Sequence, residues 1–312
     1  MMSGSRWMRV CAALGLVLVA IGITASLAAA ECTTSFLRTF GGEPYGRLSV
    51  PRDVAIDSKG NAWVADTGHS RVQEFNSSGE FVTQFEVEEG ILALALDTEG
   101  DIWTVVGNEV SAKLIREYSP GGEVKSSFAS KKAFENGWFE SARDLAVDSS
   151  GNILVLDAGF GSPARVQKFN SKGEYLSKFG ESGTGNGQFT TPEAIVVDSE
   201  GNVLVADTGN NRYQEFNPAG EFVRKVGSEG TGNGQFKSPR GIAVDSEGKV
   251  WVTDSGNNRI ERFSAKGAYL SQFGIHGLND GQFNAPRGIA ISGSNLWVAD
   301  TGSSRVQEFS CL

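Results

Sequence analysis

From residue 31 onward the apolar positions come in short runs of four to six, cut by clusters of Gly, Asn, Asp and Ser. One stretch shows the whole pattern. Arg240 to Asp245 is an apolar strand, and Ser246-Glu247-Gly248 a turn. Lys249 to Asp254 is a second strand, followed by the turn Ser255-Gly256-Asn257-Asn258. Arg259 to Phe263 alternates as a third strand, and Lys266-Gly267 turns into a fourth, Ala268 to Phe273. A Gly-rich loop, Gly274 to Gly281, leads to Gln282-Phe283 and the next copy. Runs this short, bounded by residues that favour turns, predict strands; no helical period interrupts them.

The unit recurs six times. Pro239-Arg240-Gly241-Ile242-Ala243-Val244-Asp245 returns as Pro286 to Ser292, Pro51 to Asp57 and Pro192 to Asp198, with looser copies at Ala142 to Asp148 and Ile91 to Asp97. The closing positions 57, 97, 148, 198, 245 and 292 are 40, 51, 50, 47 and 47 residues apart. Self-similarity at this period marks a repeat architecture. Four short strands per repeat, arranged radially, is the pattern of a β-propeller blade.

The unit Gly-Gln-Phe, Pro-Arg-Gly-Ile-Ala-Val-Asp, Gly-Asn, Trp-Val-Ala-Asp-Thr-Gly-Asn-Asn-Arg-Ile resembles the NHL repeat. The resemblance covers residues 31–312 and implies an all-β, six-bladed propeller. The last repeat stops after its third strand, Arg305 to Phe309, while Ser35 to Gly41 resembles the fourth strand Gly79 to Phe85. The N-terminal strand should therefore complete the last blade and remove the exposed strand edges. The same count puts Cys32 and Cys311 both level with Ser77, in one turn of one blade, so the two are expected to form a disulfide. A loop that long would gain roughly 5–6 kcal/mol in the chain-entropy account.

Residues 1–30 stand apart. Arg6 and Arg9 precede an apolar stretch from Val10 to Leu27 and the small-residue exit Ala28-Ala29-Ala30. This reads as a secretory signal peptide cleaved before Glu31; an uncleaved anchor is the alternative, since the stretch approaches spanning length. A lipoprotein fits less well, because Glu31 rather than a small residue precedes Cys32. Without residues 1–30 the chain keeps 26 basic and 37 acidic side chains, a net charge of −11. That balance, with no basic cluster, argues against nucleic acid and against an anionic membrane surface. Cys11 falls in the leader, leaving an even pair in an exported chain. A secreted or extracellular monomer is expected, retention at the cell surface remaining open.

Three sets of residues recur at fixed places. Asp66 and Arg71, Asp207 and Arg212, Asp254 and Arg259, and Asp300 and Arg305 are each five apart, and Asp157 and Arg165 bracket an insertion. Blade 2 has Val106 and Leu114 there, losing both charges together, which reads as a structural ion pair across the hairpin. Trp63, Trp103, Trp251 and Trp297 share a second-strand position with Leu154 and Leu204, and read as core between blades. The inner strands open on Arg52, Leu92, Arg143, Glu193, Arg240 and Arg287.

Inner strands line the central channel, so four Arg and Glu193 crowd one mouth. Arg forks suit carboxylate and phosphate groups, so an anionic or sugar-like ligand could sit there. The competing expectation is that each Arg pairs with a nearby acid: Asp53, Asp144 or the hairpin Asp residues. The Gly-rich loops Gly183 to Gly187 and Gly230 to Gly234 are followed by strands, so a phosphate cradle at a helix N-terminus is not expected.

Among similar six-bladed propellers are lyases and lactonase-like hydrolases that hold a divalent metal near the channel. Only His69 and His276 are available here, in two different loops, too few for a zinc site. A Ca²⁺ site from Asp53, Asp144 and Glu193 would be opposed by the neighbouring Arg side chains. No cofactor or metal is expected, and no Gly-x-Ser-x-Gly elbow appears. The resemblance implies a binding scaffold for a protein or small polar ligand, with varied loops (His69-Ser70, Asn108 to Ser111, Phe160 to Pro163, Ala129 to Glu140) over a regular frame. A metal-dependent lyase or lactonase-like hydrolase is the alternative.

Overall fold

A computed structural model describes residues 34–41, 46–107, 114–129, 136–158 and 163–311. The described residues belong to the unit Cys32–Leu312. They form six four-stranded antiparallel sheets, each running from an inner to an outer strand in chain order except the last. Blade 1 is Pro51–Ile56, Ala62–Asp66, Arg71–Phe75 and Phe81–Glu86. Blade 2 is Ile91–Leu96, Ile102–Val106, Leu114–Tyr118 and Val124–Ala129. Blade 3 is Ala142–Val147, Ile153–Asp157, Arg165–Phe169 and Tyr175–Phe179. Blade 4 is Ala194–Val197, Val203–Asp207, Arg212–Phe216 and Phe222–Val226. Blade 5 is Pro239–Val244, Val250–Asp254, Arg259–Phe263 and Tyr269–Phe273. Blade 6 is Ile289–Ser292, Asn295–Asp300 and Arg305–Cys311, with Thr34–Phe40 as its outer strand.

The inner strands of consecutive blades pack on one another around the ring, blade 6 against blade 1 included. The result is a six-bladed propeller closed by its N-terminal strand. Phe36 pairs with Phe309 and Phe40 with Val306 across that closure. Closure satisfies a strand edge that would otherwise be free to recruit another chain. One detail differs from expectation. Cys311 lies in the strand, opposite Thr34, and not in a turn. In the other blades the chain turns after this strand into the outer one; in blade 6 the outer strand is Thr34–Phe40, so the ladder runs on to Cys311, whose N–H donates to Ser294 O at 2.7 Å. Cys32, two residues before Thr34, lies outside the described residues, as do residues 1–30.

The core sits between blades. Trp63, Ala65 and Val72 of blade 1 pack on Ile91, Leu94 and Ile102 of blade 2. Trp297 and Ala299 of blade 6 pack on Val54 and Val64 of blade 1. Each second strand therefore reads as a near-continuous buried run, since both faces are covered, whereas the outer strands alternate. The Trp rings also reach a polar partner: Trp103 Nε1 donates to Asp97 Oδ2 at 3.1 Å and Trp251 Nε1 to Asp245 Oδ2 at 3.3 Å. Phe189, Phe236 and Phe283 of the Gly-Gln-Phe segments are fully buried, and Phe189 meets the Phe216 ring at 5.5 Å.

The second turns are tighter than a plain loop. Thr67–His69, Thr208–Asn210, Ser255–Asn257 and Thr301–Ser303 are single 3₁₀ turns. Each ends on a left-handed residue, Asn211 at φ 51° and Asn258 at φ 55° among them, which suits Asn.

Candidate functional site at the channel mouth

Pairing places the arginines. The first residue of an inner strand lies opposite the Asp that ends the second strand: Pro51 opposite Asp66, Ala142 opposite Asp157, Pro239 opposite Asp254. The next residue, Arg52, Arg143 or Arg240, therefore opens the channel on the face that carries the second turns and the Gly-rich crossovers. Arg287 and Glu193 occupy the same place in blades 6 and 4, and Leu92 in blade 2. All six line a channel of about 290 Å³.

The guanidinium groups act on one another. Burial, then the charge of Arg287, pushes Arg52 down from 12.5 to about 10, with Arg143 and Arg240 adding to the repulsion. Burial and Arg240 push Arg287 to about 10 as well. Both stay charged at neutral pH. Arg287 Nη1 lies 3.6 Å from Glu193 Oε2, so the one acid of the ring offsets part of the crowding.

Asp53 and Asp144, one residue past Arg52 and Arg143, each hold two main-chain N–H groups. Asp53 Oδ1 accepts from Val54 N–H at 2.9 Å and Oδ2 from Leu94 N–H at 3.0 Å. Asp144 Oδ1 accepts from Leu145 N–H at 2.8 Å and Oδ2 from Ile195 N–H at 2.8 Å. Each carboxylate thus ties the inner strand of its own blade to that of the next. Burial raises Asp53 to about 6. Burial, then the Asp53 charge, raises Asp144 well above the ordinary carboxylate range.

The hairpin acids face their own arginines. Asp66 Oδ2 lies 2.8 Å from Arg71 Nε, Asp207 Oδ2 2.7 Å from Arg212 Nε, and Asp254 and Asp300 2.8 Å from Arg259 and Arg305. All four Asp are fully buried. Asp157 and Arg165 stand further apart, at 3.6 Å. The arginines then organise the crossover: Arg259 donates to Thr231 O at 2.8 Å, Gly232 O at 2.9 Å and Gln235 O at 2.7 Å. Asp254 Oδ1 accepts from Lys237 N–H at 2.6 Å on the same crossover. His69 Nδ1 sits 2.9 Å from Asp66 Oδ2, whereas His276 lies on the blade 5 to blade 6 crossover, beside Phe283. Of the varied loops, residues 108–111, 130–135 and 160–162 lie outside the described residues.

The alignment places the repeat consensus on this geometry. The NHL repeat model matches residues 48–75, 189–216, 236–263 and 283–309. Those spans are the crossover and first three strands of blades 1, 4, 5 and 6. The chain carries NHL repeats in these four blades. Among curated proteins, this NHL-repeat chain is 27% identical over 143 residues to Protein brain tumor of Drosophila melanogaster, covering 43% of this chain and 13% of that protein. Among solved structures, virginiamycin B lyase from Staphylococcus aureus is similar at TM-score 0.63 and 13% identity, covering 90% of this chain and all of that one. Regucalcin from Agrobacterium tumefaciens, described as a calcium-binding protein, is similar at TM-score 0.65 and 15% identity, covering 88% and 94%. At such identities these likenesses show the shared propeller fold.

The channel's donor set does not fit a divalent cation. Asp53 and Asp144 already accept two N–H bonds each, and four guanidinium groups stand over them. One acidic cluster escaped the sequence reading. Asp97, Asp101 and Glu117 of blade 2 bring carboxylate oxygens within 4.8 Å of one another. Lys125 Nζ bonds Asp101 and lies 3.4 Å from Glu117, so an ammonium already meets that charge. The signal was Asp101, where blades 1, 3 and 4 have Asn61, Asn152 and Asn202.

Proposed function

We propose that this NHL-repeat protein is a recognition module that holds an anionic group of its partner or ligand at the channel mouth. One observation carries the reading: four arginines from four different blades converge on a single opening with one glutamate among them. Like charges within one mouth cost stability, and an anion offsets that cost. Buried guanidinium forks hold carboxylate or phosphate more firmly than exposed ones. Five buried acids, Asp66, Asp157, Asp207, Asp254 and Asp300, anchor second turns and crossovers around the mouth. The leader-like first thirty residues and the acidic remainder support action outside the cell, on a partner other than nucleic acid.

A ligand that binds the folded form alone stabilises it, by about 2.7 kcal/mol at one hundred times its Kd. Thermal unfolding with a panel of carboxylates, phosphates, neutral sugars and amines tests the reading. Anions should raise Tm, less so in high salt, and the rise should vanish in an R240Q/R287Q variant. A panel in which no anion shifts Tm, or in which the variant responds equally, overturns it.

A further inference from the structure

Ile275 and Leu278, 64% and 70% exposed, are the most exposed large apolar side chains among the described residues. Both stand on the crossover from blade 5 to blade 6, on the face where the channel opens. Two sister crossovers fold in the same way. Gly183 N–H donates to Phe189 O, Gly230 N–H to Phe236 O and Gly277 N–H to Phe283 O, each at 3.0 Å. Ser182, Glu229 and His276 each form a parallel bridge to that same Phe. Where this loop has Ile275 and Leu278, the sisters have Glu181 and Thr184, or Ser228 and Thr231. The loop therefore keeps its conformation with polar residues at both places, and folding does not call for the apolar pair. Single exposed apolar residues are ordinary, but two on one loop that the fold does not need mark a contact surface.

Charge separates the three loops as well. Each sister carries an acid beside the bridge, Glu181 or Glu229, where this loop has Ile275 and His276. Its own acid, Asp280, lies 3.8 Å from Arg305. The blades that this crossover joins also open on Arg240 and Arg287, both at the channel mouth. An anionic partner leaving the mouth thus meets less repulsion over this loop than over its sisters. The distance is short. Phe283 is bridged to His276, and Arg287 follows four residues later. At about 3.6 Å per residue, with about 5 Å across the bridge, the loop stands within about 20 Å of Arg287. Between them run Asn284, Ala285 and Pro286, with Ala285 N–H held by Asn258 Oδ1 at 2.8 Å. That path of main chain and amide groups suits a peptide backbone better than a continuous hydrocarbon tail.

We infer that the partner is an acidic segment of another protein, laid in extended form over the blade 5 to blade 6 crossover. It places a carboxylate at Arg240 and Arg287 and an aliphatic side chain on Ile275 and Leu278. At about 3.3 Å per residue the two anchors are at most about six residues apart. Contact between carboxylate and guanidinium sets the direction of the segment and depends on salt. Burial of aliphatic surface adds affinity that does not. The inference rests on the reading that this mouth accepts anions, and names the partner's class and its course over the face.

The test is selection of random dodecapeptides displayed on phage against the full-length protein, then fluorescence anisotropy of the enriched peptide. Enriched sequences should carry an Asp or Glu and a Leu, Ile or Val within about six residues of each other. I275S/L278T installs the residues of the blade 4 to blade 5 crossover. It should bind about tenfold more weakly at every salt concentration, with Tm unchanged. R240Q/R287Q should also bind about tenfold more weakly, and should lose the salt dependence of the wild type. Full binding by I275S/L278T, with binding lost in R240Q/R287Q, overturns this course and leaves the anion mouth standing. Binding lost in I275S/L278T but kept in R240Q/R287Q overturns both this inference and the function on which it rests. A fall in Tm of I275S/L278T assigns the pair to folding and overturns the inference. No enrichment, or enriched peptides without an acid, overturns the acidic segment. Sedimentation of the wild type, but not of I275S/L278T, with phosphatidylglycerol vesicles puts a membrane in its place and overturns the protein partner.

Discussion

Glu261 shows how one substitution within a repeat changes local electrostatics. Blades 1, 4 and 6 carry Gln73, Gln214 and Gln307 at this place, each donating to the hairpin Asp at 2.8–3.2 Å. Blade 5 carries a fully buried glutamate beside Asp254. Burial raises its pKa from 4.5 to about 7, though Arg259 and Gly234 N–H pull the other way. The folded state then binds the proton more tightly than the unfolded chain. Its contribution to stability is complete below about pH 4.5 and is lost as pH rises through 7. E261Q should remove that slope and gain up to about 3 kcal/mol at pH 8. Urea unfolding at pH 5 and pH 8 checks it; an unchanged pH slope in E261Q contradicts it.

Two further residues separate architecture from site. D207A leaves Arg212 buried against the carbonyls of Thr184, Gly185 and Gln188 without its acid and should cost about 3 kcal/mol, read as a lower urea midpoint. R240Q removes one of four mutually repelling guanidinium groups and should raise stability by about 0.5–1 kcal/mol, the usual trade-off where a residue is kept for binding. A drop of similar size would mean that Arg240 holds the fold.

At the level of elements, the outer strand Thr34–Phe40 is the closure of the ring. Deleting residues 31–40 exposes the edge of Arg305–Cys311, and the shortened protein should associate in sizing experiments where the full chain does not. The expected Cys32–Cys311 disulfide is tested at this scale too. Cys311 ends the strand opposite Thr34, so Cys32 is two residues from the pairing in sequence. Mass analysis of the oxidised protein should show both thiols consumed, and reduction should cost about 2–5 kcal/mol. Two free thiols would contradict it.

The blades and their closure were legible because repetition at 40 to 51 residues leaves its mark on every strand and turn. The partners of Asp53 and Asp144 were not. Those bonds join residues 41 and 51 apart in neighbouring blades, and a repeat pattern shows equivalent positions, not which blades meet through them. For the same reason the sequence does not show that Asp53 and Asp144 bridge the inner strands of neighbouring blades. The Asp97, Asp101 and Glu117 cluster escaped because its three residues come from the first turn and third strand of one blade.

At the scale of the molecule, six nearly equivalent blades produce a channel that is not equivalent around its ring. Arg, Leu, Arg, Glu, Arg and Arg open it; Asp, Ala, Asp, Ala, Gly and Gly follow one layer in. The outer frame tolerates this variation because its core is shared between blades and depends on the Trp, Leu and Phe positions, not on the channel. A basic mouth on a chain of net charge −9 is a local feature, readable only after folding gathers it. Calorimetric titration of the carboxylate or phosphate that most raises Tm into the wild-type protein and R240Q/R287Q, at low and at moderate salt, tests the central claim most directly. The account predicts saturable one-to-one binding to the wild type that weakens with salt and is lost in the variant while its Tm is maintained or raised. Equal binding by both proteins, or none by either, would contradict it.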